Sequence, residues 1–343
     1  MMTSETEKRK DEHIDICLHK EVTSHITNGF DQYQFVHHAM PEIDFHDIQL
    51  HTSFLGKTLK APFLISSMTG GTTKGSHINE ILAACAQHFG WAMGIGSMRT
   101  LIENKTTSTV QHIRKVAPDA FLIANLGAVQ FNYGFGIEEC KQAIDMIEAD
   151  ALVFHFNSLQ EVFQPAGNTN FKNLLHHIEH AVKSLPVPIG IKEVGFGIDQ
   201  HSAQQFAAVG VSFIDVAGAG GTSWIQVEKY RTDDPIRKQA TSAFHNWGIP
   251  TATCIKEIRK TLPIPLIASG GMSSGVEAAK AIALGSNVVG LGRTLLPNAV
   301  QSEEACFQQC ETLQFELQAA MFGIGCSNIK ELADAHQRLK KQN

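Results

Sequence analysis

Three polar residues follow closely after one apolar run of the sequence. Asn157, Gln160 and Glu161 follow directly on the run at 151–156. Glu161 offers the kind of oxygen ligand that divalent cations prefer, with water and phosphate oxygens completing the shell. The alternative is a solvated carboxylate that stabilises the start of a helix. Glu161 is therefore a candidate ligand for a divalent cation, with the solvated carboxylate as the open alternative.

Lys192 is a second candidate, because it lies inside the apolar run at 188–194. A lysine in a buried strand is costly unless an opposite charge compensates it. We expect this side chain beside an anionic cofactor, or otherwise in a buried ion pair with Glu193 or Asp215.

Glycine-rich turns end two later apolar runs, at Ser269-Gly270-Gly271 and at Gly290-Leu291-Gly292-Arg293. Backbone N–H groups in such turns, together with a helix N-terminus, bind phosphate in α/β barrels. A glycine after a strand is usually only a turn residue, so this interpretation depends on the turns lying together.

Short apolar runs that alternate with helical segments must position these residues. The runs lie at 62–67, 91–96, 121–125, 151–156, 188–194, 212–217, 265–269 and 286–291. Strands that are apolar throughout and separated by helices indicate a parallel sheet covered on both faces. Eight such units predict a (β/α)8 TIM barrel with the candidate residues at the carboxyl ends of its strands. An open doubly wound sheet is the alternative.

Two parts of the chain lie outside this repeat. Residues 1–60 are predicted to form an N-terminal arm and, at 53–59, a small hairpin at the base of the barrel, which itself spans 61–343. The connection at 218–248 is long and polar, as in lids and binding loops. The last segment, 303–322, is predicted to be a helix that closes the ring.

Composition argues against several classes of protein. A formal net charge of −6 over 343 residues disfavours general binding to nucleic acid or to anionic membranes. No apolar run approaches ~18 residues, and the polar N-terminus lacks the apolar core of a signal peptide. The seven scattered cysteines suit free thiols in a reducing cytoplasm. His176, His177 and His180 are expected on an outer helix face, and Cys306 and Cys310 in helix packing.

With these motifs in place, the chain resembles the FMN-dependent, type 2 isopentenyl-diphosphate isomerases over almost its whole length. The matching pieces are Arg9-Lys-Asp-Glu-His13, Met68-Thr-Gly-Gly71, Gly96-Ser-Met-Arg99, Asn125-Leu-Gly127, His155-x-Asn-x-x-Gln-Glu161, Lys192-Glu-Val-Gly195, Asp215-Val-Ala-Gly-Ala-Gly-Gly-Thr222 and Ser269-Gly-Gly271. Their order and spacing also fit. The His-x-Asn-x-x-Gln-Glu element with the N-terminal basic arm separates this family from other FMN barrels.

The resemblance implies the cofactor site. The residues implied to contact FMN are Met68, Thr69, Gly70, Ser97, Asn125, Lys192 and Thr222. Those implied to hold its phosphate are Gly271, Met272, Ser273, Gly292 and Arg293. It further implies that NADPH reduces the flavin.

The resemblance also implies the substrate site. The residues implied to grip an isoprenyl diphosphate are Arg9, Lys10, His13, Ser97, Met98, Arg99, His155 and Gln160. Asn157 and Gln160 would lie beside the allylic carbons, with His155 counted among the catalytic residues. Glu161 would coordinate Mg²⁺ bound to the diphosphate. The implied activity is the interconversion of isopentenyl and dimethylallyl diphosphate, in an assembly of four or eight copies.

Two positions depart from the family pattern. Ser158 stands where proline is usual, which mainly shapes a turn. Ser273 stands where arginine is frequent near the FMN phosphate, and Arg293 is our candidate for the missing charge.

Three other functions are weighed against this resemblance. A 2-hydroxy-acid oxidoreductase needs a His–Arg pair late in the barrel, where this chain has Gly-Gly-Met-Ser-Ser. An inosine-monophosphate-dehydrogenase-like enzyme needs a cysteine after the sixth strand, where Gly220-Gly221-Thr222-Ser223 occurs. A non-catalytic FMN- or polyprenyl-phosphate-binding protein would have no use for the set formed by His155, Asn157, Gln160 and Glu161.

Overall fold

A closed barrel of eight parallel strands forms the centre of the molecule, as the alternating pattern predicts. The structure is a computed structural model that describes residues 5–68, 72–104 and 110–342. The strands in this part of the chain are β1 (Tyr33–Phe35), β2 (Thr52–Phe54), β3 (Lys57–Leu59), β4 (Phe63–Ile65), β5 (Ala92–Gly94), β6 (Leu122–Gly127), β7 (Ala151–His155), β8 (Ile189–Lys192), β9 (Phe213–Asp215), β10 (Leu266–Ser269), β11 (Val288–Leu291) and β12 (Leu339–Lys341).

The barrel runs from β4 to β11 in chain order and closes by pairing β11 with β4. Each apolar run identified in the sequence overlaps one of these strands, and β6 extends two residues beyond its run, to Gly127. The alternative of an open sheet is therefore wrong, because every barrel strand has a hydrogen-bonded neighbour on both sides.

Helices cover the barrel and lie between its strands. They are α1 (Glu5–His19), α2 (Thr73–Phe89), α3 (Arg99–Glu103), α4 (Gln111–Val116), α5 (Ile137–Ile147), α6 (Ser158–Phe163), α7 (Leu174–Ser184), α8 (Gln200–Ala208), α9 (Trp224–Lys229), α10 (Pro235–Ala240), α11 (Thr251–Arg259), α12 (Gly275–Ala283), α13 (Leu296–Gln301), α14 (Glu303–Ile324) and α15 (Ile329–Asp334). None of the described helices is long and apolar enough to cross a membrane.

The barrel has a packed interior, and a hairpin closes its base. β2 and β3 pair antiparallel through the two-residue turn Leu55-Gly56, in which both residues have positive φ, as tight hairpins require. Phe54 is 1% exposed and packs edge-on against Phe121 and Phe213. It belongs to the apolar cluster that fills the barrel with side chains from β4, β5, β6, β7, β9, β10 and β11. The predicted hairpin is thus a plug for the amino-terminal end of the barrel.

The segments before and after the barrel pack on it and on each other. β1 pairs with β12 at the other end of the chain. Ile14 of α1 and Phe30 are buried in the same apolar core as the barrel helices. The boundary at residue 60 therefore stays a prediction, since the N-terminal segment shares its core with the barrel.

The polar connection at 218–248 is not an irregular loop. It contains α9, α10 and a 3-10 helix at Thr241–Phe244. Phe163 of α6 packs with Phe196 and Ile225 in a small cluster that anchors this connection over the barrel. The polar composition of this connection did not lead us to predict its helices. They are identified only in the folded chain, where the connection packs on the barrel.

Candidate active site

A cavity of about 790 Å³ opens at the carboxyl ends of the barrel strands. Its volume is typical of sites for cofactors and small ligands. The wall includes most residues that the sequence nominated: Arg9, Lys10, His13, Met68, Ser97, Arg99, Asn125, His155, Asn157, Gln160, Glu161, Lys192, Thr222, Gly271, Met272, Ser273, Gly292 and Arg293. The fold thus brings together residues that are up to 284 positions apart between Arg9 and Arg293.

Two of the nominated residues, Thr69 and Gly70, lie outside the described part of the chain. Met98 differs from its neighbours Ser97 and Arg99, which line the cavity. Its side chain is fully buried in the apolar core and does not line the cavity. Its backbone N–H donates to the carbonyl of Asn125 at 2.9 Å. This bond ties Met98 to the end of β6. Its side chain lies in the core because an unbranched apolar side chain is more favourable there than in a polar cavity.

The N-terminal arm forms one wall of the cavity as helix α1. Lys10, His13, Ile14 and Cys17 recur at helical spacing and line the cavity, so they form the inner face of the helix. The ammonium of Lys10 donates to the carbonyl of Ser97 at 3.0 Å. Ile14 is buried, which fixes the helix against the barrel.

Glu228 of α9 connects the arm to the opposite wall, and sequence reasoning missed it. This carboxylate is fully buried. His13 Nε2 donates to it at 2.9 Å, Gln160 Nε2 at 3.2 Å and Arg231 at 2.7 Å. Burial would raise the pKa of Glu228, but His13, Arg231 and Gln160 together hold it below its usual value. Nothing in the polar segment around Glu228 marks this residue out in the sequence.

The pKa of His13 is lowered despite its acidic partner. Burial lowers its pKa, and the hydrogen bond and charge of Glu228 only partly offset that effect. The edge of its ring also packs on Trp224, with 5.1 Å between the ring centroids. We therefore treat the contact with Glu228 as a hydrogen bond from a neutral imidazole.

The short helix α6 carries the cluster with which the sequence analysis began. Asn157 precedes its first residue, so Gln160 and Glu161 lie three and four positions later and share its face. The Nδ2 group of Asn157 donates to Gln160 at 3.3 Å and to Glu161 at 2.9 Å. Glu161 is 8% exposed, so it is not a solvated helix-start carboxylate. Its other oxygen accepts from the backbone N–H of Asn168 at 2.5 Å.

His155 and Lys192 occupy adjacent register positions at the ends of β7 and β8. Burial, with Lys192 and Lys10 nearby, lowers the pKa of His155 to about 3. Its Nδ1 pairs with the carboxamide of Asn125 at 2.8 Å.

Lys192 donates to the backbone carbonyl of Glu193 at 2.6 Å. The carboxylate of Glu193 instead accepts three backbone N–H groups of the following turn, and that of Asp215 accepts the hydroxyl of Ser269 at 2.6 Å. Among the described residues, neither carboxylate forms a salt bridge with Lys192, so the ion-pair alternative is not what the structure shows.

Backbone groups form much of the end of the cavity that the sequence analysis assigned to the cofactor phosphate. Gly271 has φ +74, and a Cβ there would meet the backbone of Gly220 at 2.5 Å, so only glycine fits this close approach. Ser273 donates through its N–H and its hydroxyl to the carboxylate of Glu277, both at 2.8 Å. Arg293 lines the same end and donates to Thr23 at 2.7 Å.

Several buried polar atoms of the cavity wall have no hydrogen-bond partner within the described structure. They are Ser66 Oγ, Thr100 Oγ1, Gln130 Oε1 and Asn157 Oδ1. Such atoms are costly to bury unless a ligand or water satisfies them. Together with the glycine cradle and Lys192, they fit a flat, polar cofactor that ends in a phosphate.

Comparison with known proteins identifies the family. The sequence profile of the FMN-dependent dehydrogenases matches residues 4–121 and 140–339. The isopentenyl-diphosphate delta-isomerase of Oceanobacillus iheyensis is 52% identical over 95% of this chain and 94% of its own length. Those of Nostoc sp. PCC 7120 and Rickettsia felis are 48% and 46% identical over 96% and 97% of this chain, and over 95% and 96% of their own lengths. The chain belongs to the isopentenyl-diphosphate delta-isomerases. This confirms the family and the enzyme class that the motifs predict.

Solved structures support the fold alone. A mandelate oxidase in complex with (S)-2-phenylpropionate superimposes with a TM-score of 0.66 over 97% of this chain and 96% of its own. Its sequence is only 16% identical, so it shows the same barrel and nothing about the substrate.

Proposed function

We propose that this isomerase family member interconverts isopentenyl diphosphate and dimethylallyl diphosphate with reduced FMN, NADPH as the reductant and Mg²⁺ on the diphosphate. The observation that carries the proposal is the convergence of the basic arm, the α6 cluster and the glycine cradle on one cavity. These three features match the three parts of the reaction: an anionic tail, a reacting alkene and a phosphorylated cofactor.

The cradle and Lys192 would hold FMN. Backbone around Gly271 and Gly292 would receive the phosphate, with Arg293 as the nearby cation. Lys192, which is 7% exposed, would favour an anionic form of the reduced ring. When bound and reduced, FMN supplies an electron-rich surface that stabilises positive charge and exchanges protons.

The arm would bind the diphosphate. Arg9 and Lys10 bring positive charge to the cavity, and Arg99 faces it from α3. His13 and His155, being neutral, would contribute hydrogen bonds. Binding energy from this remote group positions the alkene for proton transfer.

Glu161 would hold Mg²⁺ with its carboxylate. A site with one protein carboxylate is typical of Mg²⁺ that also binds substrate phosphate and water. The existing bonds from Asn157 and Asn168 orient the carboxylate.

The polar cluster of α6 would work beside the reacting carbons. The reaction adds a proton to the alkene and removes another from a neighbouring carbon, through a cationic transition state. Gln160 is a poor acid, so its amide would relay or position a proton. Glu228 and Asn157, on either side of it, fix its orientation.

An anaerobic incubation tests this proposal. Purified protein is incubated with isopentenyl diphosphate, FMN, NADPH and Mg²⁺, and dimethylallyl diphosphate is measured. We expect product that disappears when FMN or Mg²⁺ is omitted. No product, with FMN demonstrably bound and reduced, would reject the activity and leave the fold unaffected.

The assembly state is a separate proposal, namely a homotetramer or homo-octamer. Ile236, Trp247 and Val162 are 78%, 54% and 49% exposed, which is unusual for large apolar side chains and suits an interface between copies. Sedimentation of the purified protein as a monomer would reject it.

A further inference from the structure

Three buried cysteines meet between α2 and α14, away from the cavity. Cys85 lies on α2, and Cys306 and Cys310 lie one turn apart on α14. Each is 0% exposed. Their sulfur atoms all lie within 4.8 Å of one another. None of them lines the cavity, and the proposed reaction does not use them.

The spacing of the sulfurs is close to that of a trigonal metal site. With a metal–sulfur distance of about 2.3 Å, three sulfurs around one ion stand about 4 Å apart. The present separations reach 4.8 Å at most. Small side-chain rotations would therefore bring the three sulfurs to a common ion without moving the helices.

The chemistry of the cluster favours one class of ion. Thiolates select Cu(I), Zn²⁺ or iron–sulfur clusters. Structural Zn²⁺ almost always takes four ligands, whereas this group, among the described residues, supplies three. Full burial also keeps water from the fourth position. A three-coordinate Cu(I) ion is the better match.

Cys306 lies near the start of the 22-residue helix α14, where the helix dipole favours a thiolate. Binding would release the thiol protons of the cluster to solvent.

We propose that Cys85, Cys306 and Cys310 form a Cu(I) site that joins α2 to α14. These helices pack directly on each other, and α14 also packs on α12. The ion would therefore link the first helix of the barrel ring to the helix that closes it.

Copper titration under anaerobic conditions tests the site. The full-length protein is titrated with Cu(I) against a colorimetric Cu(I) chelator. We expect one ion per chain to be retained and the Tm to rise by at least about 2–4 °C, because the ion binds only the folded chain. Retention of no ion, or a preference for Zn²⁺ over Cu(I), would overturn the proposal.

Matched variants locate the ion. Cys85→Ala, Cys306→Ala and Cys310→Ala should each weaken Cu(I) binding by at least ~100-fold, since loss of a ligand costs more than loss of an outer partner. Cys140→Ala is the control, because Cys140 is equally buried and lies outside the cluster. Binding that survives all three variants, or that Cys140→Ala weakens as much, would show that the cysteines only pack.

X-ray absorption of the copper-loaded native chain does not depend on folding of the variants. Three sulfur neighbours at about 2.3 Å would support the site. Nitrogen or oxygen neighbours would reject it.

Discussion

Replacing Glu228 by glutamine tests the connection between the arm and the α6 cluster. The substitution keeps the shape of the side chain and removes its charge. Glu228 is fully buried and accepts hydrogen bonds from His13, Gln160 and Arg231. His13 and Gln160 both donate to Oε1, whereas Arg231 donates to Oε2. If the amide N–H group of glutamine takes the place of Oε1, the bonds from His13 and Gln160 are lost, and if it takes the place of Oε2, both bonds remain but lose the charge that strengthens them. Arg231 keeps a second partner in Glu12 at 3.0 Å.

The expected magnitude follows from the bond that orients Gln160. A hydrogen bond to a charged group contributes about 1.5–3 kcal/mol. If Gln160 must hold one orientation in the transition state, loss of this contribution from the hydrogen bond to Glu228 lowers kcat roughly 10- to 150-fold. His13 donates to the same oxygen, so its bond is weakened or lost together with that of Gln160, and KM for the diphosphate should rise as well.

A double-mutant cycle separates these two effects. Gln160→Leu alone should lower turnover at least ~100-fold, within the range of positioned proton-transfer groups. If Glu228 acts on kcat through Gln160, adding Glu228→Gln to that variant should lower kcat little further. His13→Ala should affect mainly KM. FMN binding and thermal unfolding of each variant serve as controls for folding, because breaking a buried charged contact also costs stability.

Two results would refute this reasoning. One is a Glu228→Gln protein that is folded, binds FMN and turns over within about threefold of the native rate. The other is a double variant whose kcat falls by the product of the two single effects, which would make the two residues independent.

Three further predictions concern the cofactor, the pH dependence and the barrel base. Arg293→Ala should raise the FMN dissociation constant roughly tenfold or more, as expected for one lost charge-assisted contact; an unchanged constant, by flavin fluorescence, would remove Arg293 from the phosphate site. His155 has a pKa of about 3 in the folded chain, so below pH ~6.5 the unfolded state binds the extra proton. Its contribution to stability should therefore fall by about 2 kcal/mol between pH 6.5 and 5, measured by urea unfolding of the apoprotein, and His155→Gln should abolish this part of the pH dependence; an equal dependence in both proteins would contradict it. Phe54→Ala should lower the free energy of unfolding by about 3–5 kcal/mol, whereas the same change at Phe315, which is 59% exposed, should cost less than about 0.5 kcal/mol; equal losses would mean that Phe54 is not the plug.

The fold was predictable from the sequence because its signals are local. Each barrel strand lies in a short, predominantly apolar run, and a helical pattern follows most of these runs. The hairpin at the base is marked by the turn at Leu55-Gly56. Each of these patterns depends only on residues close together in the chain.

The cavity was partly predictable for a related reason. In a parallel barrel all strand ends of one kind meet on one face, so Asn157, Lys192 and Gly271 had to lie near one another. The motif resemblance then supplied candidate roles, which sequence periodicity alone does not give.

The tertiary structure decided what depends on distant contacts. Met98 belongs to a nominated motif, yet packing turns its side chain into the core. Glu228 lies in a polar segment without any motif and becomes the partner of His13 and Gln160, which are 215 and 68 positions away. Cys85 meets Cys306 and Cys310 only because α2 and α14 close the ring side by side. Sequence patterns therefore determined which elements form and which face carries the site, because those follow from local periodicity. The partners of buried polar groups follow from packing between remote elements, so only the folded chain determines them.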